Sequence, residues 1–165
     1  MAVRLVILDC DRTLWDHRDV TGLARPFRRV GPDTVEDQAG VRVTLFPQTR
    51  PLLAGLRQRG VIVACASWNE PAPVDEIFAL LEIGGYFDYR KVEPHPDKHR
   101  TIGALLDELA RRGAALVPSE VLYVDDRRIH LEAIRREVGP IRFLHYGVDI
   151  YKLTDVLDYV DADAR

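Results

Sequence analysis

Two aspartates one residue apart, Asp9 and Asp11, end the apolar run Leu5-Val6-Ile7-Leu8, with Cys10 between them and Arg12-Thr13-Leu14-Trp15 following. Carboxylates at i and i+2 can face a common site, and anions so crowded are costly unless a cation or a proton offsets their repulsion. Oxygen ligands of this kind suit magnesium, which takes one or two carboxylates, keeps several waters and accepts phosphate oxygens from a substrate. The other reading is an acidic turn in which Asp11 or Thr13 caps the next segment, and so short a motif does not by itself separate the two.

What separates them is the elements that carry the pair and its neighbours. Residues 3–8 read as a strand buried in a parallel sheet, which puts Asp9 at a carboxyl end, where open α/β sheets place their ligands. From 16 to 31, Gly22, Pro26, Gly31 and Pro32 break any long helix. Residues 34–36 and 41–46 then flank Asp37-Gln38-Ala39-Gly40 as a hairpin. Residues 16–47 are read as a flap over the end of the first strand, with an unrelated surface hairpin as the alternative.

After Pro47 a regular rhythm resumes. A helix with Leu52, Leu53 and Leu56 on one face starts near Thr49 and Pro51 and ends at Gly60. The second apolar strand, 61–66, ends in Ser67-Trp68-Asn69 and precedes a helix marked by Val74, Ile77, Phe78 and Leu81. A short strand over 86–92 leads to a helix with Ile102, Leu105, Leu106 and Leu109, whose amino-terminal edge holds Lys98 and His99. Strand 121–124 ends in Asp125-Asp126 and precedes a helix with Leu131, Ile134 and Val138; a fifth strand, 141–146, and an amphipathic helix, 153–160, complete the order. Strands alternating with helices predict an α/β, three-layer Rossmann-like domain with a central parallel sheet of about five strands and a small β-hairpin flap in place of a large cap.

Bulk properties narrow the class. A chain of 165 residues fits one domain, 1–165, with length enough for a substantial core. With 47% hydrophobic and 30% charged residues it is neither a disordered nor a membrane composition. A net charge of -3 gives no general attraction to nucleic acid. No stretch approaches a transmembrane length and the amino terminus leads straight into the first strand, so a soluble cytoplasmic protein is expected. Cys10 and Cys65 have no zinc-like spacing and read as small buried residues in a reducing compartment, able to pair only if their strands are neighbours.

The polar residues at the predicted strand ends and helix starts are Asp9, Asp11 and Thr13, then Ser67, then Lys98, then Asp125 and Asp126. Each alone has a plain structural role as a cap, a solvated lysine or an acidic helix start. Together, on one edge of a parallel sheet, they describe a shared site. In these motifs the chain resembles the haloacid dehalogenase superfamily of phosphotransferases. Through Leu14-Trp15, the hairpin, Ala64-Cys65-Ala66-Ser67 and Val124-Asp125-Asp126 it is similar to the magnesium-dependent phosphatase-1 family, over most of residues 3–148.

The resemblance implies a magnesium-dependent phosphatase that hydrolyses phosphate monoesters through an aspartyl-phosphate. Asp9 is then the nucleophile, and Asp11 the acid that protonates the leaving oxygen and afterwards activates water. Crowding by Asp9 and Asp125 is expected to lift the Asp11 pKa. Asp9, the backbone carbonyl of Asp11 and Asp125 hold magnesium, with Asp126 acting through water or by fixing geometry. Ser67 and Lys98 bind the phosphoryl oxygens, Cys10, Asp11 and Trp68 join them as substrate- or phosphate-binding residues, and Thr13 shapes the turn.

Three departures stand out. Arg12 fills a position usually small, polar or aromatic; it either adds a phosphate contact or points to solvent. Trp68 stands where relatives have arginine, and the lysine motif is shared between Lys91 and Lys98, the latter favoured by its place after Pro94 and Pro96. With no large cap the site is open to a phosphotyrosine or other phosphoprotein, a sugar phosphate or another phosphorylated small molecule. Trp15, Phe46 and Trp68 are candidates for an aromatic wall. The competing readings are a receiver-like phospho-accepting signalling module, a catalytically silent binding domain, and a phosphotransferase acting on carrier-bound intermediates.

Overall fold

In the computed structural model, which describes residues 2–162, the elements in chain order are β1 (Leu5–Leu8), β2 (Arg28–Arg29), β3 (Thr34–Glu36), β4 (Arg42–Thr44), α1 (Thr49–Gln58), β5 (Ile62–Trp68), α2 (Pro71–Leu80), β6 (Tyr89–Glu93), α3 (Lys98–Arg111), β7 (Val121–Asp125), α4 (Leu131–Glu137), β8 (Arg142–His145) and α5 (Val156–Ala162). Residue 1 and residues 163–165 of the unit expected over 1–165 lie outside the described range. No described helix is long and apolar enough to cross a membrane.

β1 is the centre of a five-stranded sheet of order β6-β5-β1-β7-β8, in which every adjacent pair is parallel. Its four side chains are fully buried because helices cover both faces. Strand alternation sends Val6 and Leu8 to the side of α1, α2 and α5, where Leu52, Leu53, Ile77, Phe78 and Val156 join them. Leu5 and Ile7 go to the side of α3 and α4, against Ile102, Leu105, Leu109 and Ile134. Each such burial stabilises the fold by about 1.5–3 kcal/mol, so the run that fixes Asp9 in place is also a principal anchor of the core.

The chain leaves β1 outward to β5 and β6, then crosses back to β7 and β8 on the other side. The strand order therefore reverses beside β1, and the crevice at its carboxyl end is where such sheets bind ligands. This order also excludes the receiver-like reading, whose flavodoxin-type sheet places the first strand next to the edge.

The flap differs from the simple hairpin expected. Arg28 and Arg29 pair with Val35 and Glu36 as a third strand, giving an antiparallel sheet of order β2-β3-β4. Two exposed arginines carry no apolar alternation, so only backbone pairing defines that strand. Nor is the flap a loose cover: Val35, Val43 and Leu45 enter the same core cluster as Trp15, and Trp15 pairs with Leu45 across a β-bridge. Glu76 of α2 fastens it, accepting from Arg25 Nε and from the Phe27 amide, each at 2.6 Å.

Other boundaries move by a few residues. Gly84–Tyr86 is a 3-10 turn ahead of β6, and Leu153–Asp155 is another ahead of α5. The second core strand runs on to include Ser67 and Trp68, because β6 pairs with it as far as Glu93. Gly60, with φ +65, follows α1 in the left-handed conformation that favours glycine.

Candidate active site

At the end of β1 the Asp9 amide donates to Val124 O at 3.0 Å, which continues the pairing with β7 and sets the Asp9 and Asp125 side chains next to each other. Pro94 and Pro96 bring the chain from β6 over the sheet edge, and α3 opens with Lys98, only 1% exposed. Its Nζ donates to Asp9 Oδ1 and to Asp125 Oδ2, both at 2.6 Å. Asp125 Oδ2 also accepts from the Tyr123 hydroxyl, and its Oδ1 accepts from the Arg127 amide at 2.8 Å. The Thr13 hydroxyl donates to Asp9 Oδ2 at 3.4 Å and accepts from the Asp126 amide at 3.2 Å, tying the turn after β1 to the turn after β7. Lys91 lies elsewhere, on β6, paired with Glu108 at 2.5 Å.

Asp9, Asp125 and Asp126 each present an oxygen within 4.8 Å of the others. Burial is the main cause that pushes Asp9 up to about 7; Lys98 opposes it, and Asp125 and Asp126 add to it. Asp126 is pushed up to about 6, by burial first and then by Asp125. For Asp125, burial also acts upward, but the charge and hydrogen bond of Lys98, with the Tyr123 and Arg127 donors, outweigh it and hold the group below the usual carboxylate range. Once all three carboxylates are ionised, a single ammonium leaves two negative charges uncompensated. An all-oxygen, net-anionic donor set of this kind fits a hard divalent cation such as magnesium.

The shifts have a sign. In the unfolded chain Asp9 and Asp126 ionise near 3.8, whereas the folded protein keeps their protons to about 7 and about 6. Between those limits the folded state binds more protons, so their contribution to stability is full below about pH 4 and is lost as pH rises to about 7. Melted in chelator, the protein is expected to lose thermal stability from about pH 4 to about pH 7, each ~1 kcal/mol lowering Tm by about 2–4 °C. Magnesium is expected to raise Tm more at the upper end of that range than at the lower, because it binds the ionised folded site. A magnesium shift independent of pH would contradict this.

Asp11 belongs to a second branch of the site. Its Oδ1 accepts from Trp15 Nε1 at 2.8 Å and its Oδ2 from Asn69 Nδ2 at 2.7 Å, and its side chain is not part of the acidic trio. Its pKa is raised, as expected, but the cause is different: burial dominates, Asn69 and Trp15 oppose it, and the carboxylate that adds to it is Asp19 of the flap, not Asp9 or Asp125. Ser67 is buried at the end of β5, and its Oγ accepts from the same Asn69 amide at 2.8 Å.

Beside this branch opens a cleft of about 300 Å³ lined by Asp11, Arg18, Thr21, Trp68, Asn69 and Arg127, among others. Of the three aromatic candidates only Trp68, 43% exposed, faces it. Trp15 is buried edge-on to Phe78 with centroids 5.9 Å apart, and Phe46 packs on Tyr146 at 5.6 Å. The Cys10 thiol does not line the cleft; it lies in the core with Cys65 on the adjacent strand, where burial pushes its pKa well up, and both cysteines are free. Arg12 is exposed at φ 59, a left-handed turn residue directed to solvent. Asn69, Tyr123, Arg18 and Arg127 are the site residues that motif reading passed over. The first two each stand two positions from a motif residue on a strand, hence on the same face.

Sheet order and the placing of the site at its strand ends are those of a haloacid-dehalogenase-like fold. Residues 2–137 match the Acid Phosphatase family, and the chain belongs to it. It is 24% identical over 158 residues to the human magnesium-dependent phosphatase 1, covering 94% of this chain and 85% of that protein. A haloacid-dehalogenase-superfamily hydrolase from Ehrlichia chaffeensis superposes with TM-score 0.72 at 13% identity, covering 99% of this chain and 98% of that one. The N-terminal part of a Bacteroides fragilis protein, containing a phosphatase domain complexed with Mg, superposes with TM-score 0.63 at 18% identity; the match covers 97% of this chain but only 39% of that one. The chain is thus a phosphatase of this fold.

Proposed function

We propose that the protein is a magnesium-dependent phosphomonoester hydrolase that works through an aspartyl-phosphate on Asp9. The observation that carries this reading is the trio of buried Asp9 and Asp125 with half-buried Asp126, the Lys98 ammonium bridging its two buried members. Asp9 attacks phosphorus in line; the new bond joins its carboxylate oxygen to phosphorus as the ester P–O bond breaks, and the departing oxygen takes a proton from Asp11. Asp11, now ionised, accepts a proton from the water that attacks the acyl phosphate, releasing phosphate and restoring both aspartates. Lys98 and Ser67 hold the phosphoryl oxygens, and Lys98 supplies positive charge where charge develops.

The metal would be held by Asp9, Asp125 and the backbone carbonyl of Asp11, with Asp126 in support. It supplies the charge that offsets repulsion between the Asp9 carboxylate and the phosphate. The human and Bacteroides relatives, one named for magnesium and one complexed with it, favour this ion. The leaving group occupies the cleft between Asp11 and Trp68, whose exposed indole suits a ring, either the sugar of a sugar phosphate or the phenol of phosphotyrosine. Two free buried thiols suit a cytoplasmic setting.

The test is hydrolysis of p-nitrophenyl phosphate with magnesium and in excess chelator, followed by kcat/KM over a panel of sugar phosphates and phosphotyrosine peptides. Full activity in chelator removes the metal from the mechanism. Asp11→Asn is expected to lower kcat by roughly 10²–10⁴-fold while the magnesium-induced Tm shift persists, because the proposed ligand at that position is the backbone carbonyl.

A further inference from the structure

We propose that Asn69 is a positioning residue, one amide that holds the Asp11 carboxylate, the Ser67 hydroxyl and the flap at Thr21 in a single register. The inference rests on the reading of Asp11 as the group that protonates the leaving oxygen.

Asn69 is 2% exposed immediately after β5. Its amide N–H donates to Glu93 O at 3.2 Å, extending the pairing with β6 and fixing the main chain. Alternation sets Ser67 and Asn69 on one side and leaves Trp68 facing out. Both hydrogens of Asn69 Nδ2 are used, one to Asp11 Oδ2 at 2.7 Å and one to Ser67 Oγ at 2.8 Å. Its Oδ1 accepts from Thr21 Oγ1 at 2.7 Å, and that same hydroxyl accepts from the Glu70 amide at 2.9 Å.

The ionised Asp11 carboxylate fixes the direction of the bonds in this chain. It only accepts, so the amide turns its nitrogen toward Asp11 and its oxygen toward Thr21, whose hydroxyl then donates. Turned end for end, the amide would still find partners in the Ser67 and Thr21 hydroxyls, which can each donate or accept, but would set its oxygen against the Asp11 carboxylate.

Asp11 Oδ1 thus receives Trp15 and Oδ2 receives Asn69, with the Val20 backbone amide also acting on the carboxylate, and together these set its plane at the edge of the cleft that it lines. Trp15 is locked by the core, whereas Asn69 is locked by a residue of the flap. An amide does this without adding charge to a group that must give up a proton and take one back. The flap thereby acts on the chemistry through Asn69 as well as by lining the cleft.

Misplacing a general acid is felt in proportion to the leaving oxygen's need for a proton. An alkyl phosphate needs it; p-nitrophenyl phosphate, with its stabilised phenolate, scarcely does. Because kcat/KM reports the steps through departure of the leaving group, the ratio of kcat/KM for glycerol 2-phosphate to that for p-nitrophenyl phosphate isolates the positioning of Asp11. A fault in folding or in Ser67 alone lowers both values and leaves the ratio unchanged.

The experiment measures this ratio in the magnesium-loaded wild type and in Asn69→Leu, Thr21→Val, Asp11→Asn and the double variant Asn69→Leu/Asp11→Asn. Asn69→Leu is expected to lower the ratio roughly 10²-fold, approaching Asp11→Asn, and to lower it no further in the double variant. Thr21→Val, nearly isosteric at an exposed flap position, is expected to lower it roughly 2- to 10-fold, the equivalent of one hydrogen bond. It carries the test if Asn69→Leu does not fold.

Equal losses on both substrates in the Asn69 and Thr21 variants, with Asp11→Asn lowering the ratio, overturn the role of Asn69 alone. A further fall of the ratio in the double variant does the same. A ratio unchanged by Asp11→Asn overturns the assignment of Asp11, and the role of Asn69 with it.

Discussion

Asp9→Asn is expected to abolish hydrolysis of p-nitrophenyl phosphate, lowering kcat by roughly 10⁴-fold or more, while making the metal-free protein more resistant to heat at neutral pH. The two effects share one cause. Asp9, the proposed nucleophile, is buried beside Asp125 and Asp126, and that burial is what pushes it up to about 7. At pH 7 and above, the ionised carboxylate is a charge the fold would be more stable without. Asparagine has the same shape and keeps an oxygen toward Lys98 Nζ, which donates to Asp9 Oδ1 at 2.6 Å in the wild type. It cannot attack phosphorus. Its neutral amide should also flatten the fall of Tm between about pH 4 and about pH 7. Retained turnover would remove Asp9 from the mechanism, and a lower Tm in chelator at neutral pH would refute the electrostatic account of the site.

Lys98→Met is expected to do the reverse to stability. Methionine fills much the same volume but withdraws the ammonium from between Asp9 and Asp125, leaving buried carboxylates with no cation. Breaking a buried pair in this way costs ~3–5 kcal/mol, or roughly 10 °C in Tm for a chain of this size. Magnesium should recover part of the loss. Turnover should fall by roughly 10²–10³-fold, the usual effect of removing one group aimed at developing charge. Lys98→Arg is not expected to rescue either property, because a site that leaves lysine 1% exposed has no room for the broader guanidinium. Lys91→Met is the control: its partly exposed pair with Glu108 contributes ~0–1 kcal/mol, and its loss should leave kcat unchanged. Comparable effects at the two lysines would undo the assignment of Lys98.

The strand ends were legible in the sequence because burial writes itself into composition. An uninterrupted apolar run that stops at Asp9, and another that stops at Asp125, identify central strands and their polar ends. The side chains at those ends converge because parallel strands share an edge. The burial of Lys98 was not legible in the same way: at the start of a helix with a polar face a lysine looks solvated, and only the fold brings that start over the crevice. Tyr123 reads as one more apolar strand residue, although its hydroxyl reaches Asp125. Asn69 looks like loop punctuation after a strand, and its role depends on Thr21, 48 residues away in the chain. The cause of the Asp11 shift was misread for a related reason. Spacing shows which charges are close in sequence, but Asp11 is held apart from the acidic trio by two donors, one from Trp15 in the core and one from Asn69.

Glu76 bears on the kinetics of the site. By gripping both Arg25 and the Phe27 amide it rivets the flap to α2, and Val35 and Val43 seal the flap into the core. Such a wall has no hinge to work. A substrate meets a cleft already in its working shape, so binding costs little ordering and turnover waits on no closure. Water reaches the mouth freely throughout. With the leaving group seated against Trp68 as proposed, it would itself complete the dry surroundings that strengthen charge–charge forces during phosphoryl transfer, and a substrate too small to cover that indole would forfeit part of the rate.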